Sequence, residues 1–158
     1  MDLLIQILVN GVLLGGLYAV MALGLALVWG VLNIVNLAHG AFIMLGAYLS
    51  WHLYTYLGID PFLGLPITAV VMFAFGYAVQ RGLLNLVVRA PMFNTLLITF
   101  GLEVVLTYLA QLAFSADFRT INPSYAGNSI QLGAVVLPLA RLLAFAVAIV
   151  LTVAMWLF

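Results

Sequence analysis

The stretch from Leu3 to Ile59 decides the fold class, and it reads LLIQILVNGVLLGGLYAVMALGLALVWGVLNIVNLAHGAFIMLGAYLSWHLYTYLGI. It contains no Asp, Glu, Lys or Arg, and a second charge-free run extends from Pro61 to Gln80. A helix needs about 20 apolar residues to cross the hydrocarbon core of a bilayer. Because lipid offers no partners to backbone N–H and C=O groups, such runs favour helices, which pair these groups internally. The sequence therefore predicts an all-α, polytopic transmembrane helical bundle.

Composition agrees with a membrane protein and narrows the possible chemistry. Of the 158 residues, 68% are hydrophobic and 5% are charged, whereas soluble domains are about half apolar and a quarter charged. The chain has no Cys, and its only imidazoles are His39 and His52, so no disulfide or metal site is expected. It also has no Lys, which excludes a Walker-type phosphate loop. We therefore expect no cofactor in this chain, and its zero net charge argues against a nucleic acid partner.

Five apolar segments are long enough to span a membrane, and the breaks between them are rich in polar residues, Gly and Pro. The segments cover about residues 4–31, 38–57, 61–84, 93–114 and 137–158 of one transmembrane domain, 1–158. For the polar segment at about 115–136 we expect turns or a short hairpin in water. Arg81 and Arg89 flank the third-to-fourth connection and place it in the cytoplasm, although Arg119 and Arg141 on the other side weaken this signal.

Small residues recur at every fourth position of the first segment. Gly11, Gly15 and Ala19 form one such stripe, and Gly16 lies beside it. Small side chains let transmembrane helices approach closely, so we predict helix packing at these positions. A moving gate surface, on which low bulk permits sliding, is the alternative.

A few polar side chains within or beside the apolar segments are candidates for function. Asn36 and the pair His39-Gly40 lie near the predicted start of the second helix, where an amide or imidazole can cap backbone groups, contact a ligand or titrate. Glu103 lies in the middle of the fourth segment, where a carboxylate is costly unless it faces a cavity, has a partner or is protonated. Lining of a substrate pathway and structural pairing both stay open for Glu103.

From these residues alone, three classes of function can be compared: an enzyme, a channel or secondary transporter, and a structural subunit. No arrangement of Ser, His and Asp marks a nucleophilic site, and no close pair of carboxylates marks acid–base catalysis, so an enzyme is not expected. A channel or secondary transporter could relay ions or protons through Glu103 and His39. A structural subunit of a membrane complex is a further alternative, although a membrane enzyme or such a subunit should show polar groups converging from several helices.

The sequence WGVLNIVNLAHGAFIMLGAY, from Trp29 to Tyr48, resembles the hallmark of permease subunits of branched-chain amino acid ABC transporters, the LivH and LivM type. The segments 11–31 and 94–106 resemble the first and fourth helices of this family, and together the matches favour the LivH side. Two positions depart from the family pattern, because Ala41 and Gln80 stand where acidic residues are common. These departures suggest a divergent substrate such as an amide or urea.

The resemblance implies a permease subunit of an ATP-driven importer for branched-chain amino acids or related small polar solutes. Its implied partners are a homologous permease subunit, two ATP-binding cassette ATPase subunits and an extracytoplasmic solute-binding protein, in a bacterial inner membrane with its lipid. It also implies an extracytoplasmic N-terminus. We expect Asn36, His39, Gly40 and Glu103 on the substrate pathway. Because family members are nearly twice as long, we expect this chain to lack the C-terminal half.

Overall fold

The computed structural model describes residues 2–87, 90–115, 117–133 and 135–157. Within them, five α-helices make up most of the chain, which confirms the predicted all-α polytopic bundle. The helices are α1 (Asp2–Leu32), α2 (His39–Leu57), α3 (Pro61–Gly82), α4 (Met92–Phe114) and α5 (Leu139–Leu157). A 3-10 turn, Leu84–Leu86, follows α3. Strands β1 (Ser129–Leu132) and β2 (Val135–Pro138) pair antiparallel before α5, so the predicted short hairpin is present.

Four of these helices, α1, α3, α4 and α5, are long and apolar enough to cross a membrane. Their surfaces carry large exposed apolar side chains, for example Leu8 (68% exposed), Phe73 (76%) and Leu112 (84%). The helix α2 does not belong to this group, because it carries polar residues such as His39 and Ser50. Its 19 residues nevertheless correspond to about 28 Å, close to the thickness of a hydrocarbon core.

Contacts divide the chain into two compact units. The first combines Met1–Leu27 with Asn122–Phe158, and the second is Val28–Ile121. The helix α1 contributes residues to both units, whereas α2, α3 and α4 lie wholly in the second.

Helices α2 and α3 form an antiparallel hairpin inside the second unit. As α2 advances, its contacts move backwards along α3: Phe42 meets Phe75, Gly46 meets Met72, and Leu53 meets Gly64. The turn between the helices follows from local chemistry. Gly58 ends α2 with φ 66°, a left-handed conformation that suits glycine. Asp60 then caps α3, because its Oδ1 accepts a hydrogen bond from the backbone N–H of Phe62 at 2.9 Å.

Helices α2 and α4 run parallel in the same unit. Near the start of both, Thr99 contacts Val35, in the segment just before α2. Further along both, the ring of Tyr48 stacks on the ring of Phe114, with centroids 4.6 Å apart. Contacts therefore advance together along α2 and α4, and the two helices traverse the same thickness as α3.

The first unit contains a second parallel pair, α1 and α5. The side chain of Gln6 makes two hydrogen bonds to the backbone of Val136, just before α5, with N···O distances of 2.8 and 2.7 Å. One turn further along α1, Asn10 Oδ1 lies 3.5 Å from Nη1 of Arg141. Later still, Gly16 faces the ring of Phe145. The contacts advance together along both helices.

The direction of α1 and α5 constrains how many helices cross the membrane between them. Two parallel membrane helices in one chain must be separated by an odd number of crossings. If only α3 and α4 crossed, this number would be even, and α1 and α5 would be antiparallel. Crossing by α2 makes the number odd, in agreement with its 19 residues and with its packing along α3 and α4. Five crossings stay a prediction, which the directions of α1 and α5 support.

Candidate functional site

A polar stripe runs along one face of α4. We define it by four residues at intervals of four, Thr95, Thr99, Glu103 and Thr107, and the exposed Gln111 continues the same spacing one turn further on. Residues four apart lie on the same side of a helix, one turn above the other. The helix is otherwise apolar enough to span a membrane, so this stripe is its polar face.

The first half of the stripe is buried inside the second unit. Thr95 is 2% exposed and donates a hydrogen bond to the carbonyl of Met92 at 2.7 Å. Thr99 is fully buried, and its Oγ1 donates to the carbonyls of Leu96 at 3.2 Å and Val35 at 3.1 Å. The hydroxyl of Thr99 therefore attaches the segment between α1 and α2 to α4.

That segment between α1 and α2 carries the Asn36 and His39 motif. Its backbone turns at Asn33, whose φ of 53° lies in the left-handed region, where Asn is enriched. Ile34 and Ala38 are buried, with 2% and 0% exposure. The side chain of Asn36 accepts a hydrogen bond from the backbone N–H of Ala38 at 3.1 Å, and its carbonyl accepts one from His39 at 3.2 Å. Asn36 thus satisfies backbone groups at the entrance to α2.

The next two motif residues begin α2. His39 is half-buried and is the first residue of the helix. Gly40 is exposed, and a Cβ atom placed on it would meet nothing within 4 Å. The second unit therefore does not need glycine at this position to avoid a clash, and the missing side chain leaves open surface beside His39.

Glu103 lies one turn above Thr99 and is half-buried. Its Oε1 accepts a hydrogen bond from Oγ1 of Thr107 at 3.3 Å. Among the described residues, no cation lies within ion-pair distance of this carboxylate, and no group of His, Cys, Asp and Glu could hold a metal ion. The structure thus gives Glu103 a hydroxyl partner on its own helix and leaves part of it accessible.

The four small residues of α1 occupy different environments. Gly16 faces α5 so closely that a Cβ atom on it would overlap the ring of Phe145. Ala19 lies with Gly16 in a small apolar cleft against α5. Gly11 and Gly15 are exposed, and a Cβ atom on either would meet nothing within 4 Å. Within the first unit, close approach is therefore concentrated at Gly16.

Reasoning from sequence missed the three threonines of the α4 stripe. Threonine is common in all secondary structures, so Thr95, Thr99 and Thr107 do not stand out singly. The available signal was the four-residue spacing of these threonines with Glu103 in a predominantly apolar helix. The orientation signal stays a prediction: Arg81 contacts the hydroxyl of Tyr77 at 2.9 Å, and Arg89 lies outside the described residues.

Comparison with known families matches residues 7–158 to the branched-chain amino acid transport system / permease component. This chain belongs to that permease family. The match covers the buried segment before α2 and the whole α4 stripe, and it confirms the family resemblance seen in the sequence. The permease chain is thus an integral, multi-pass membrane protein of a transport family.

Individual relatives of the permease chain carry consistent descriptions. The high-affinity branched-chain amino acid transport system permease protein BraD of Pseudomonas aeruginosa is 25% identical over 98% of this chain and 54% of its own length. The LivH protein of Escherichia coli K12, with the same description, is 30% identical over 65% of this chain and 36% of its own. The probable LivH of Methanocaldococcus jannaschii is 31% identical over 64% and 32%. The chain spans about half or less of the length of these relatives, and no solved structure matches it significantly.

Proposed function

We propose that this chain is a permease subunit of an ATP-driven importer and forms the translocation pathway with a homologous permease subunit. The observation that carries the proposal is the polar stripe of α4 joined to the buried Asn36 segment through the Thr99 to Val35 hydrogen bond. The Asn36 segment connects α1 to α2, and this hydrogen bond holds it against the polar face of α4. Polar groups of the connection and of α4 are thereby brought together in one unit of an otherwise apolar chain.

The substrate pathway is proposed to run along the accessible surface formed by Glu103, His39 and Gly40. Glu103 is half-buried with Thr107 as its hydrogen-bond partner, and ionisable groups in transmembrane helices usually face a bundle interior or a water-filled cavity. His39 and Gly40 present an imidazole and open surface at the start of α2, close to the amide of Asn36, which accepts a hydrogen bond from the backbone N–H of Ala38. These groups supply acceptors and donors to a polar solute while the surrounding helices stay apolar.

Branched-chain amino acids are the proposed substrates, because the names of the relatives specify their transport. The proposed substrates also include related amides or urea, because Ala41 and Gln80 stand where acidic residues are common in the family. Ala41 is 3% exposed, and Gln80 donates a hydrogen bond to Oδ1 of Asn85 at 3.1 Å. Neutral groups thus occupy two positions where the family pattern has acidic residues.

The remaining partners are proposed from the family to which the chain belongs. Two separate ATPase subunits are proposed to hydrolyse ATP, because the given sequence has no Lys with which to build a Walker-type phosphate loop, and no cofactor is assigned to this chain. An extracytoplasmic binding protein is proposed to deliver the solute. In a bacterial inner membrane, an extracytoplasmic N-terminus followed by five crossings would place the α3–α4 connection in the cytoplasm and the β1–β2 hairpin outside.

Reconstitution of the full-length permease with its partners in proteoliposomes tests the proposal. ATP-dependent leucine uptake should require the ATPases and the binding protein, and Glu103→Gln should lower it at least tenfold, whereas Thr152→Val should not. Thr152 is a matched control because its hydroxyl donates to the carbonyl of Ala148 within α5, at 2.8 Å. Leucine uptake that does not depend on ATP or on the binding protein would refute the importer function.

A further inference from the structure

A cleft of about 490 Å³ opens where α2 meets the segment that follows α4, within the second unit. It is distinct from the site built on Glu103 and Asn36. Its volume lies in the range of about 300–1,000 Å³ that is typical of small-molecule sites. Residues that line it and matter for its chemistry are Met44, Tyr48, Trp51, Asp117, Arg119 and Ile121.

The guanidinium of Arg119 is held in place at this cleft. Its Nη2 donates a hydrogen bond to the carbonyl of Phe114 at 2.9 Å, and its Cζ lies 4.8 Å from the centre of the Trp51 ring. A guanidinium has five N–H groups, and the other four of Arg119 bond to no described residue. The cation–π contact and the hydrogen bond to the carbonyl orient the guanidinium, so its remaining N–H groups can bind a carboxylate.

Asp117 lines the same cleft with the opposite charge. Among the described residues, Asp117 and Arg119 form no ion pair with each other or with any third group. Two opposite charges that share a cleft without neutralising each other suit a ligand that carries both charges itself. The carboxylate of such a ligand would bind Arg119, and its ammonium group would bind Asp117.

The rest of the lining is aromatic or aliphatic, and further rings pack against it. Tyr48 stacks on Phe114 with an interplanar angle of 11°, and the ring of His52 lies 5.1 Å from that of Phe114. Met44 and Ile121 complete an apolar wall beside the charges. An aliphatic side chain would lose contact with water against this wall.

We propose that this cleft binds a free α-amino acid with an apolar side chain. The ligand's carboxylate pairs with Arg119, its ammonium group with Asp117, and its side chain lies against Tyr48 and Met44. The choice of an aliphatic amino acid rests on the proposed transport function, to which this site adds a binding position inside the permease. On the proposed topology, the cleft lies where the extracytoplasmic end of α4 meets the middle of α2.

Equilibrium binding of radiolabelled L-leucine to the full-length transporter complex in nanodiscs, without ATP or binding protein, tests the site. Two competitors separate the charges: leucinamide lacks the carboxylate, and 4-methylpentanoate lacks the ammonium group. Leucine should bind wild type roughly tenfold or more tightly than either competitor, since each lacks one charge-assisted interaction. Absence of leucine binding, or equal binding of all three compounds, would overturn the proposal.

Variants assign each charge to its residue. Arg119→Gln should weaken leucine binding and remove the preference for leucine over leucinamide, whereas Arg119→Lys should retain part of that preference. Asp117→Asn should remove the preference for leucine over 4-methylpentanoate. Arg81→Gln is the matched control, because Arg81 is an exposed arginine that bonds to the hydroxyl of Tyr77. Preferences that survive Arg119→Gln and Asp117→Asn would place the ligand elsewhere.

Uptake assays on the same preparations distinguish this proposal from the transport function. If wild type shows ATP-dependent uptake and the cleft variants keep wild-type ligand preferences, the cleft proposal fails and the importer function stands. If the ligand preferences follow Arg119 and Asp117 but no uptake depends on ATP, the cleft stands and the importer function fails. Gel filtration of each variant complex verifies that it is folded and assembled.

Discussion

At the scale of single residues, Thr99 makes the contact on which the candidate site depends. Its fully buried hydroxyl joins α4 to the carbonyl of Val35. Thr99→Val keeps the shape of the side chain but leaves that carbonyl without this donor, so we expect the free energy of unfolding to fall by roughly 1–3 kcal/mol. Thermal unfolding of the purified permease complex measures the change. Thr152→Val removes a hydroxyl that bonds only within its own helix, so an equal loss in both variants would contradict this role of Thr99.

Gly16 gives a second prediction at this scale. A Cβ atom on Gly16 would overlap the Phe145 ring, so Gly16→Ala should destabilise the first unit by roughly 1–3 kcal/mol, because the ring must move to make room. Gly15→Ala is the control, because a Cβ atom there meets nothing within 4 Å. Adding Phe145→Leu to Gly16→Ala should recover part of the lost stability. Equal melting temperatures for the two alanine variants would show that Gly16 and Phe145 do not limit the approach of α1 and α5.

Sequence reasoning reached some of these residues and not others, for physical reasons. Bonding of Asn36 to nearby backbone could be named among its possible roles, because an Asn side chain can accept from the backbone N–H two residues further on, whereas its place on the substrate pathway stays a prediction. The partner of Glu103 could not be chosen, because a carboxylate in lipid is costly whether it faces a cavity or a neighbouring helix. Gly11, Gly15 and Gly16 look alike in sequence, and only the packing of Phe145 separates them.

At the scale of helices, the sequence predicts where elements lie but not how they pair. The left-handed Gly58 and the cap Asp60 are local signals, and they separate α2 from α3 as the Gly and Pro pattern suggests. Helix pairing has no such signal, because helices that are apolar on every side show no periodicity that marks a packed face. Five predicted crossings already imply that α1 is parallel to α5 and α2 to α4, but the packing of these helices against each other is visible only in the structure.

Crossing of the membrane by α2 is the prediction that follows from these directions. The chain has no Cys, so single cysteines can be introduced without background labelling. Leu37→Cys and Leu57→Cys, at exposed positions before and at the end of α2, should react with a membrane-impermeant maleimide from opposite sides of the membrane. Asn85→Cys and Phe118→Cys, on either side of α4, are the matched control pair. Because α4 is apolar enough to cross the membrane, these two cysteines should also react from opposite sides. Labelling of Leu37→Cys and Leu57→Cys from one side would refute five crossings.

At the scale of the whole molecule, the energy source separates an importer from its main rival. A proton-coupled transporter would use Glu103 as a titrating relay, so collapse of the proton gradient with an ionophore would stop its leucine uptake. An ATP-driven importer should keep its initial uptake rate within about twofold when the ionophore is added, because binding protein and ATP shift the equilibrium between its conformations. The measurement uses proteoliposomes of the complete complex with ATP enclosed, and a non-hydrolysable ATP analogue provides the control. Among the described residues, Glu103 bonds to the hydroxyl of Thr107 on the same helix, and we predict that it lines the pathway and does not relay protons, since a relay needs a chain of titratable groups. Uptake that disappears with the ionophore but persists with the analogue would reverse that assignment.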